Sequence, residues 1–154
     1  LQFDGAMHIP LYAMFIIYPL ISSDMVSDKI KLAQIEKWTD DIVKRDLAVV
    51  VEGASDEEAL RLLGIERVYH LHKQPLYLVV EELSSVYTEV ILLLDLDVEG
   101  EKLFAKLRSD FIASGVKVVI TYREWLRTNT SIRQIEDLKG YVLNLRQLVF
   151  GPEI

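Results

Sequence analysis

Short apolar runs alternate with amphipathic stretches along most of this chain. From residue 47 onward, four runs rich in β-branched residues are separated by stretches whose apolar positions recur at helical spacing. The runs are LAVVV (47–51), RVYHL (67–71), VILLL (90–94) and VKVVI (116–120), and the helices between them are predicted over 55–63, 75–87 and 98–114. Such alternation is typical of a parallel sheet covered on both faces. It predicts a three-layer, Rossmann-like α/β fold with a mostly parallel sheet of about four strands, flanked by helices.

Local signals mark where the predicted helices begin and end. Ser55-Asp56-Glu57-Glu58 has the form of a capping box at the start of the first helix. Pro75 suits the first turn of the second helix, while Gly64 and Gly115 suit the left-handed position that follows a helix. The hydrophobic periodicity and the capping signals therefore indicate the same helices.

Outside these segments the spacing of apolar residues predicts secondary structure less strongly. Beyond Ile120 we expect a short helix over 124–127, a second cap signature at 131–134 and an apolar segment at 141–145. The expected organisation is an N-terminal extension without an assigned role (1–24), an amphipathic helix (25–46), the α/β domain (47–145) and a C-terminal tail (146–154). Trp38 is expected to pack the amphipathic helix onto the sheet.

The most apolar stretch, residues 9–21, is too short to span a bilayer and contains two prolines. It also lacks the basic start and the small-residue cleavage site of a signal peptide. We interpret it as a core or interface strand and expect no association with a membrane. A surface for a homodimer or for a partner protein remains an alternative for this stretch.

Composition limits the chemistry that this chain can perform. Its 154 residues, about half of them hydrophobic (51%), suffice for one sizeable core. Cysteine is absent, which excludes thiolate zinc sites and cysteine nucleophiles and is compatible with a cytoplasmic protein. A net charge of −7 argues against binding nucleic acid by charge alone, because such binding requires clustered Lys and Arg. A nucleic-acid site would have to be local and assisted by a cation.

The residues that follow each apolar run are the first candidates for a ligand site, because ligands of open parallel sheets bind outside the carboxyl ends of the strands. These residues are Glu52-Gly53, His72-Lys73, Asp95-Leu96-Asp97 and Thr121-Tyr122-Arg123. Extended backbone would point Asp95 and Asp97 the same way, and Mg²⁺ prefers a few carboxylates together with waters and phosphate oxygens. The pattern predicts a magnesium site, with Mn²⁺ as a possible substitute. Gly53 would let a phosphate approach the backbone closely.

Several basic residues are candidates for contacts to phosphate. His72 and Lys73 follow the second predicted strand, and Arg123 and Arg127 are interleaved with aromatic residues that can stack on a base. The alternative is that these arginines are solvated side chains on a short helix. A zinc site at His70 and His72 is disfavoured, because no third histidine or cysteine accompanies them.

Two segments of the chain match the signature motifs of a known family. VVVEGASD (49–56) and LLLDLDVEGEK (92–102) resemble the two motifs of Toprim domains, which occur in type IA topoisomerases, bacterial primases, 5S ribosomal RNA maturation nucleases and small stand-alone proteins. The resemblance covers roughly 47–120. The features that match are an apolar strand ending in Glu-Gly, an Asp four residues after that Glu, and an Asp-x-Asp-x-x-Gly run about forty residues on.

The resemblance implies a Toprim fold and particular roles for matching residues. Glu52 resembles the general acid or base of the family, and Asp95 and Asp97 resemble its magnesium-binding pair. Glu99 resembles a further acid of topoisomerase-like members. Asp56 and Lys102 match a polar residue and a lysine of the two motifs, and we group them with the phosphate-contacting candidates.

The structural alternative for the acids is that they cap helices, as Asp97 is placed to do. Two functional hypotheses follow from the motifs. The first is magnesium-dependent hydrolysis or transfer of RNA or DNA phosphodiesters, as in a nuclease. The second is a non-catalytic module that holds a nucleic acid or nucleotide with magnesium for a partner protein. Nothing in the sequence resembles the additional domains of topoisomerases or primases, so neither of those whole activities is expected.

Overall fold

A computed structural model describes Pro10, Tyr12 and residues 23–152 of the chain. Within 23–152, a four-stranded parallel sheet is flanked by six α-helices. The strands are β1 (Ala48–Val51), β2 (Val68–His70), β3 (Glu89–Leu92) and β4 (Lys117–Val119). The helices are α1 (Ser23–Arg45), α2 (Ala54–Leu62), α3 (Leu76–Ser84), α4 (Val98–Ala113), α5 (Thr121–Asn129) and α6 (Leu138–Phe150), with a 3₁₀ turn at Ile135–Asp137. The predicted three-layer α/β fold is confirmed.

The order of the strands across the sheet is β2-β1-β3-β4, and every neighbouring pair is parallel. Val49 lies beside Val68 of β2 on one side and Ile91 of β3 on the other. The chain thus moves outward from β1 to β2 and then crosses to the opposite side of β1 to form β3. Such a reversal leaves a crevice between the carboxyl ends of β1 and β3, which is where open α/β sheets bind ligands.

Alternate residues of the central strands enter two separate hydrophobic cores. Val49 and Val51 face a core built with α1, α2, α5 and α6, whereas Ala48 and Val50 face a core built with α3 and α4. All four side chains are fully buried. Burial on both faces explains why the sequence shows continuous apolar runs rather than alternation of apolar and polar residues.

The helix α1 packs on the sheet through its apolar face, as its amphipathic pattern predicts. Ile35 and Trp38 are buried, and Trp38 Nε1 donates a hydrogen bond of 3.1 Å to the Tyr122 carbonyl at the start of α5. The packing expected of Trp38 is therefore confirmed. The apolar stretch at 9–21 lies outside the described residues except for Pro10 and Tyr12, so its interpretation as a strand stays a prediction.

Several element boundaries differ from the prediction. The helix expected over 55–63 begins at Ala54, and its start is closed by Asp56, whose Oδ2 accepts a 3.1 Å hydrogen bond from Gly53 N. The capping box predicted from Ser55 is thus wrong, because β1 ends at Val51 and the chain turns into the helix at once. Gly64 and Gly115 do adopt positive φ angles after their helices.

The greatest difference lies after β4. The short helix predicted over 124–127 spans Thr121–Asn129, and the apolar segment predicted over 141–145 is the centre of α6, which extends to Phe150. Packing of α6 against α1 explains its length, since tertiary burial extends helices beyond what local pattern suggests. In the part of the chain that the structure describes, helices of membrane-spanning length and apolarity are absent.

The docking of α1 can be tested with two isoleucines of the same helix. Ile35 is fully buried, whereas Ile30 is 54% exposed. We expect Ile35→Ala to lower the free energy of unfolding by roughly 2–5 kcal/mol, because it leaves a cavity in the core, and Ile30→Ala to change it by less than about 0.5 kcal/mol. Urea denaturation measures both. Equal effects would contradict this docking of α1.

Candidate functional site

The ends of β1 and β3 bring Glu52 and Asp95 together. The two strands are adjacent, and Leu93 N donates to Val50 O at 2.9 Å, which continues their pairing beyond β3. Two residues later Asp95 N donates to Glu52 Oε1 at 3.3 Å. The side chain that the motif places at the end of one strand therefore contacts the backbone at the end of the next.

The loop that carries Asp95 and Asp97 is held by backbone amides. Asp95 Oδ1 accepts a 2.9 Å hydrogen bond from Ile135 N, in the segment that precedes α6. Asp97 Oδ1 accepts a 2.7 Å hydrogen bond from Gly100 N and so caps α4. Leu96, between the two acids, is buried in the core. Capping and a metal-binding role are compatible for Asp97, because the cap uses one carboxylate oxygen.

An open groove of about 440 Å³ lies over this edge of the sheet. Acids and small polar groups dominate its lining, which consists of Glu52, Gly53, Ala54, Ser55, Asp56, His72, Asp95, Gln134 and Glu136. The groove is thus formed by the ends of β1, β2 and β3, by the start of α2 and by the segment before α6. Its acidity disfavours a phosphate on its own and favours a phosphate accompanied by a cation.

Burial and mutual repulsion oppose ionisation of the acids. The pKa of Glu52 is raised, first by burial and then by the neighbouring charge of Asp95. The pKa of Asp95 is also raised, mainly by burial and further by the charges of Asp97 and Glu136, although the hydrogen bond from Ile135 N acts in the opposite direction. A cation in the groove would relieve this repulsion.

Asp56 is a buried acid with a structural task. Its side chain is only 6% exposed, and it accepts hydrogen bonds from Gly53 N at 3.1 Å and Glu136 N at 3.0 Å. Burial and the charge of Asp95 nevertheless raise its pKa to about 6. The expected role of Asp56 in contacting phosphate does not follow from this placement, because both of its oxygens already accept backbone hydrogen bonds. It joins the start of α2 to the segment before α6.

The donor set fits magnesium. Among the described residues, no three or more acids and histidines lie together closely enough to enclose a metal ion. Mg²⁺ does not require such an enclosure, because it is commonly held by one or two carboxylates and keeps several waters. Within the described residues, Asp95 and Asp97 each commit one carboxylate oxygen to a backbone amide and leave the second without a hydrogen bond.

Glu99 and Lys102 do not line the groove. The Glu99 side chain is 82% exposed and pairs with Lys102 Nζ at 3.5 Å. His72 lines the groove at the end of β2, and the neighbouring Lys73 is exposed with a left-handed φ of 62°. The structure thus places His72 in the lining of the groove, whereas Asp97, Glu99 and Lys102 lie outside that lining.

Arg123 has a placement that differs from the expected phosphate contact. Its side chain is fully buried and donates to the carbonyl oxygens of Leu94 and Asp95. Arg127 is more exposed and forms an ion pair with Glu101. The arginines were expected to face a ligand because their helix follows a strand end, but Arg123 is buried against carbonyl groups and Arg127 pairs with Glu101 at the surface.

Two parts of the site were not predicted from the sequence. One is the segment before α6, whose Ile135 and Glu136 amides bind Asp95 and Asp56 across long stretches of chain. The other is Gly100, where an added Cβ would lie 2.0 Å from Asp95 O and 3.0 Å from Asp97 Oδ1. The Asp-x-Asp-x-x-Gly spacing contained a signal for the glycine, whereas the segment had no comparable signal.

The close approach at Gly100 predicts a local steric requirement. Gly100→Ala should lower the free energy of unfolding by roughly 1–3 kcal/mol, because the new methyl group must displace the Asp95 backbone. Gly140→Ala is the matched control, since Gly140 is a helical glycine with open space around it, and it should stabilise by up to about 1 kcal/mol. Thermal unfolding followed by circular dichroism compares them. A neutral Gly100→Ala would contradict the packing described here.

The raised pKa of Asp56 predicts a pH-dependent stability difference. The folded state retains a proton that the unfolded state releases between pH 3.8 and about 6, so ionisation in this window costs stability as pH rises. Relative to Asp56→Asn, the wild type should therefore lose up to about 3 kcal/mol between acidic and neutral pH. Urea denaturation across this range measures the difference. Glu58→Gln, an exposed neighbour on α2, should show no such change, and a pH-independent difference for Asp56→Asn would contradict the prediction.

Comparison with known proteins agrees with this geometry. The chain matches the Toprim domain family over residues 48–122, which includes both motifs. It is 39% identical over 98 residues to a UPF0292 protein of Methanocaldococcus jannaschii, covering 61% of this chain and 77% of that protein. It is 36% identical over 121 residues to a UPF0292 protein of Pyrococcus abyssi, covering 77% of this chain and 91% of that protein.

A solved structure supports the same assignment. A putative protein from Aquifex aeolicus shares 31% sequence identity with this chain and superposes with a TM-score of 0.62, covering 66% of this chain and 94% of that one. The Toprim domain indicates a metal-dependent function related to nucleic acids. The chain is therefore a Toprim-domain protein that belongs to the UPF0292 family.

Proposed function

We propose that this protein hydrolyses or transfers phosphodiester bonds of a nucleic acid with the aid of magnesium. The observation that carries the proposal is the contact between the Glu52 side chain and the Asp95 backbone at adjacent strand ends. Both residues line a groove where burial and repulsion raise the pKa of their carboxyl groups. A carboxyl group whose pKa is raised can both release and accept a proton near neutral pH more readily than an ordinary one. Glu52 is therefore suited to act as a general acid or base.

The roles divide between the two strand ends. Asp95 and Asp97 would hold the ion through their free carboxylate oxygens, and magnesium when bound would stabilise negative charge that develops on the phosphate. Glu52 moves the proton to or from the attacking or leaving oxygen. Its Oε1 accepts a hydrogen bond from Asp95 N, Oε2 has no hydrogen bond within the described residues, and the residue lines the groove. Mn²⁺ has similar ligand preferences and should substitute for Mg²⁺.

The acidity of the groove favours a second candidate function. Its lining contains no lysine or arginine among the described residues, and Arg123 and Arg127 are engaged by Glu101. Together with the net charge of −7, this argues for weak intrinsic affinity toward nucleic acid. The alternative is therefore a binding module that holds a nucleic acid or nucleotide through magnesium while a partner protein performs the chemistry.

A paired assay separates the two functions. Purified protein is incubated with structured RNA, single-stranded DNA and supercoiled plasmid in Mg²⁺ or Mn²⁺, and binding is measured in parallel by gel shift. We expect cleavage by the wild type, and a loss of about 10²–10⁴-fold in rate for Glu52→Gln, because the proton carrier is removed. The double variant Asp95→Asn with Asp97→Asn should lose both cleavage and magnesium-dependent binding.

Glu66→Gln is the control for the removal of one acid. Glu66 is exposed and precedes β2, at the opposite edge of the sheet from the groove, so this variant should match the wild type. Cleavage that survives Glu52→Gln would remove the proposed role of Glu52. Magnesium-dependent binding without any Glu52-dependent cleavage would instead establish the binding module.

A further inference from the structure

Arg123 is an unusual residue for the interior of a small domain. It is the largest of the fully buried side chains, and its exposure is 0%. A buried guanidinium requires compensation, because it cannot lose its charge and its removal from water is costly. The contacts of this side chain therefore indicate what its burial achieves.

The guanidinium group completes the end of β3. Its Nε donates to Leu94 O at 2.9 Å, and its Nη2 donates to Asp95 O at 2.7 Å. The neighbouring strand β4 pairs with β3 only as far as Val119 and then turns into α5, so it cannot reach these two carbonyl groups. Arg123, in the first turn of α5, supplies the donor that a longer β4 would have offered to Leu94 O, and it also binds Asp95 O.

A single acid connects this arginine to the start of α4. Glu101 Oε1 accepts a 3.1 Å hydrogen bond from Arg123 Nη2 and also pairs with Arg127. Glu101 follows Gly100, whose amide caps onto Asp97. Arg123 therefore connects the Asp95 carbonyl, through Glu101, to the first turn of α4, which Asp97 caps.

The remaining surroundings of Arg123 compensate its burial only in part. Its Cζ lies 4.4 Å from the centre of the Phe104 ring, which is a favourable cation–π contact, but its Nη1 is buried without a hydrogen-bond partner among the described residues. An apolar side chain of similar volume often stabilises a protein as well as a buried ion pair does, or better. The specific gain from an arginine here is the fork of donors directed at the backbone of the acid loop.

We propose that Arg123 is a positioning residue for the metal site, which acts by fixing the backbone of Leu94 and Asp95 and thereby the direction of the Asp95 carboxylate. Glu101 is the counter-charge that keeps the guanidinium in place. This role rests on the proposed function, since it assumes that Asp95 binds the metal. Groups that orient metal ligands commonly change metal affinity by 10–100-fold when they are removed.

The test measures Mn²⁺ affinity of the full chain by electron paramagnetic resonance, well below the unfolding midpoint of each variant. Arg123→Lys retains the charge but lacks the fork that reaches both carbonyls, and it should weaken Mn²⁺ binding by about tenfold. Leu126→Ala is the matched control, because Leu126 is fully buried on the same helix but forms no hydrogen bond with the acid loop. It should lower the unfolding midpoint while changing Mn²⁺ affinity by less than about twofold.

A second pair of variants keeps the test decisive if Arg123→Lys does not fold. Glu101 and Glu124 are similarly exposed and both pair with Arg127, but only Glu101 lies within hydrogen-bond distance of Arg123, since Glu124 is 4.0 Å away. At high salt, where long-range charge effects are screened, Glu101→Gln should weaken Mn²⁺ binding by about threefold or more and Glu124→Gln should not.

The outcomes distinguish this role from the site itself. Loss of Mn²⁺ binding in Asp95→Asn, together with wild-type affinity in Arg123→Lys and Glu101→Gln, would overturn the positioning role while leaving the metal site intact. Equal weakening by Leu126→Ala and Arg123→Lys would also overturn it, because general loosening would then suffice. Unchanged Mn²⁺ affinity in Asp95→Asn would overturn the metal site, and the role of Arg123 with it.

Discussion

Carboxylates lie close together where β1 and β3 end, and ionising them there costs free energy. The surrounding structure depends on this constraint, because it must hold these acids in place. Glu52 and Asp95 repel each other across adjacent strands, and Asp56 adds a third acid, which is buried, nearby. Each must be held in place by hydrogen bonds that do not remove its charge. Backbone amides meet this requirement, because they offer a donor without introducing a competing cation into the groove.

The segment between α5 and α6 supplies much of this restraint. Ile135 N binds Asp95, Glu136 N binds Asp56, and Arg133 O accepts from Leu96 N at 2.6 Å. One stretch of chain therefore closes over the ends of β1 and β3 and fixes acids from two motifs. The α1–α6 packing holds this stretch against the core, so helices distant from the acids contribute to the geometry of the site.

Lysine and arginine are absent from the lining of the groove within the described residues. Arg123 binds the Leu94 and Asp95 carbonyl groups, and Arg127 pairs with Glu101. The groove itself consequently remains acidic and favours a divalent cation over direct contact with phosphate. Under the proposed function a metal ion, rather than an arginine, would hold the phosphate, which is compatible with the net negative charge of this nucleic-acid-related domain.

The sequence alone determined the sheet and the family. Continuous apolar runs such as those of β1 and β3 can satisfy burial only between two layers of helices, and the Glu-Gly and Asp-x-Asp-x-x-Gly motifs identify the Toprim domain. These features are local in the chain, so periodicity and spacing reveal them. The metal-binding and catalytic roles of Glu52, Asp95 and Asp97 stay predictions.

Tertiary structure alone decided which polar groups reach those acids. Arg123 looked available for a ligand, yet it turns inward to carbonyl groups, and Arg127 pairs with Glu101 at the surface. Ile135 joins Asp95 across 40 residues of sequence. Such contacts depend on where separate elements meet, and a backbone amide carries no side-chain signal that a sequence pattern could show. The end of β3 is buried and β4 stops short of it, so carbonyl groups there need another hydrogen-bond donor. An arginine is buried at this place because it is that donor, and only the tertiary structure shows that one is needed.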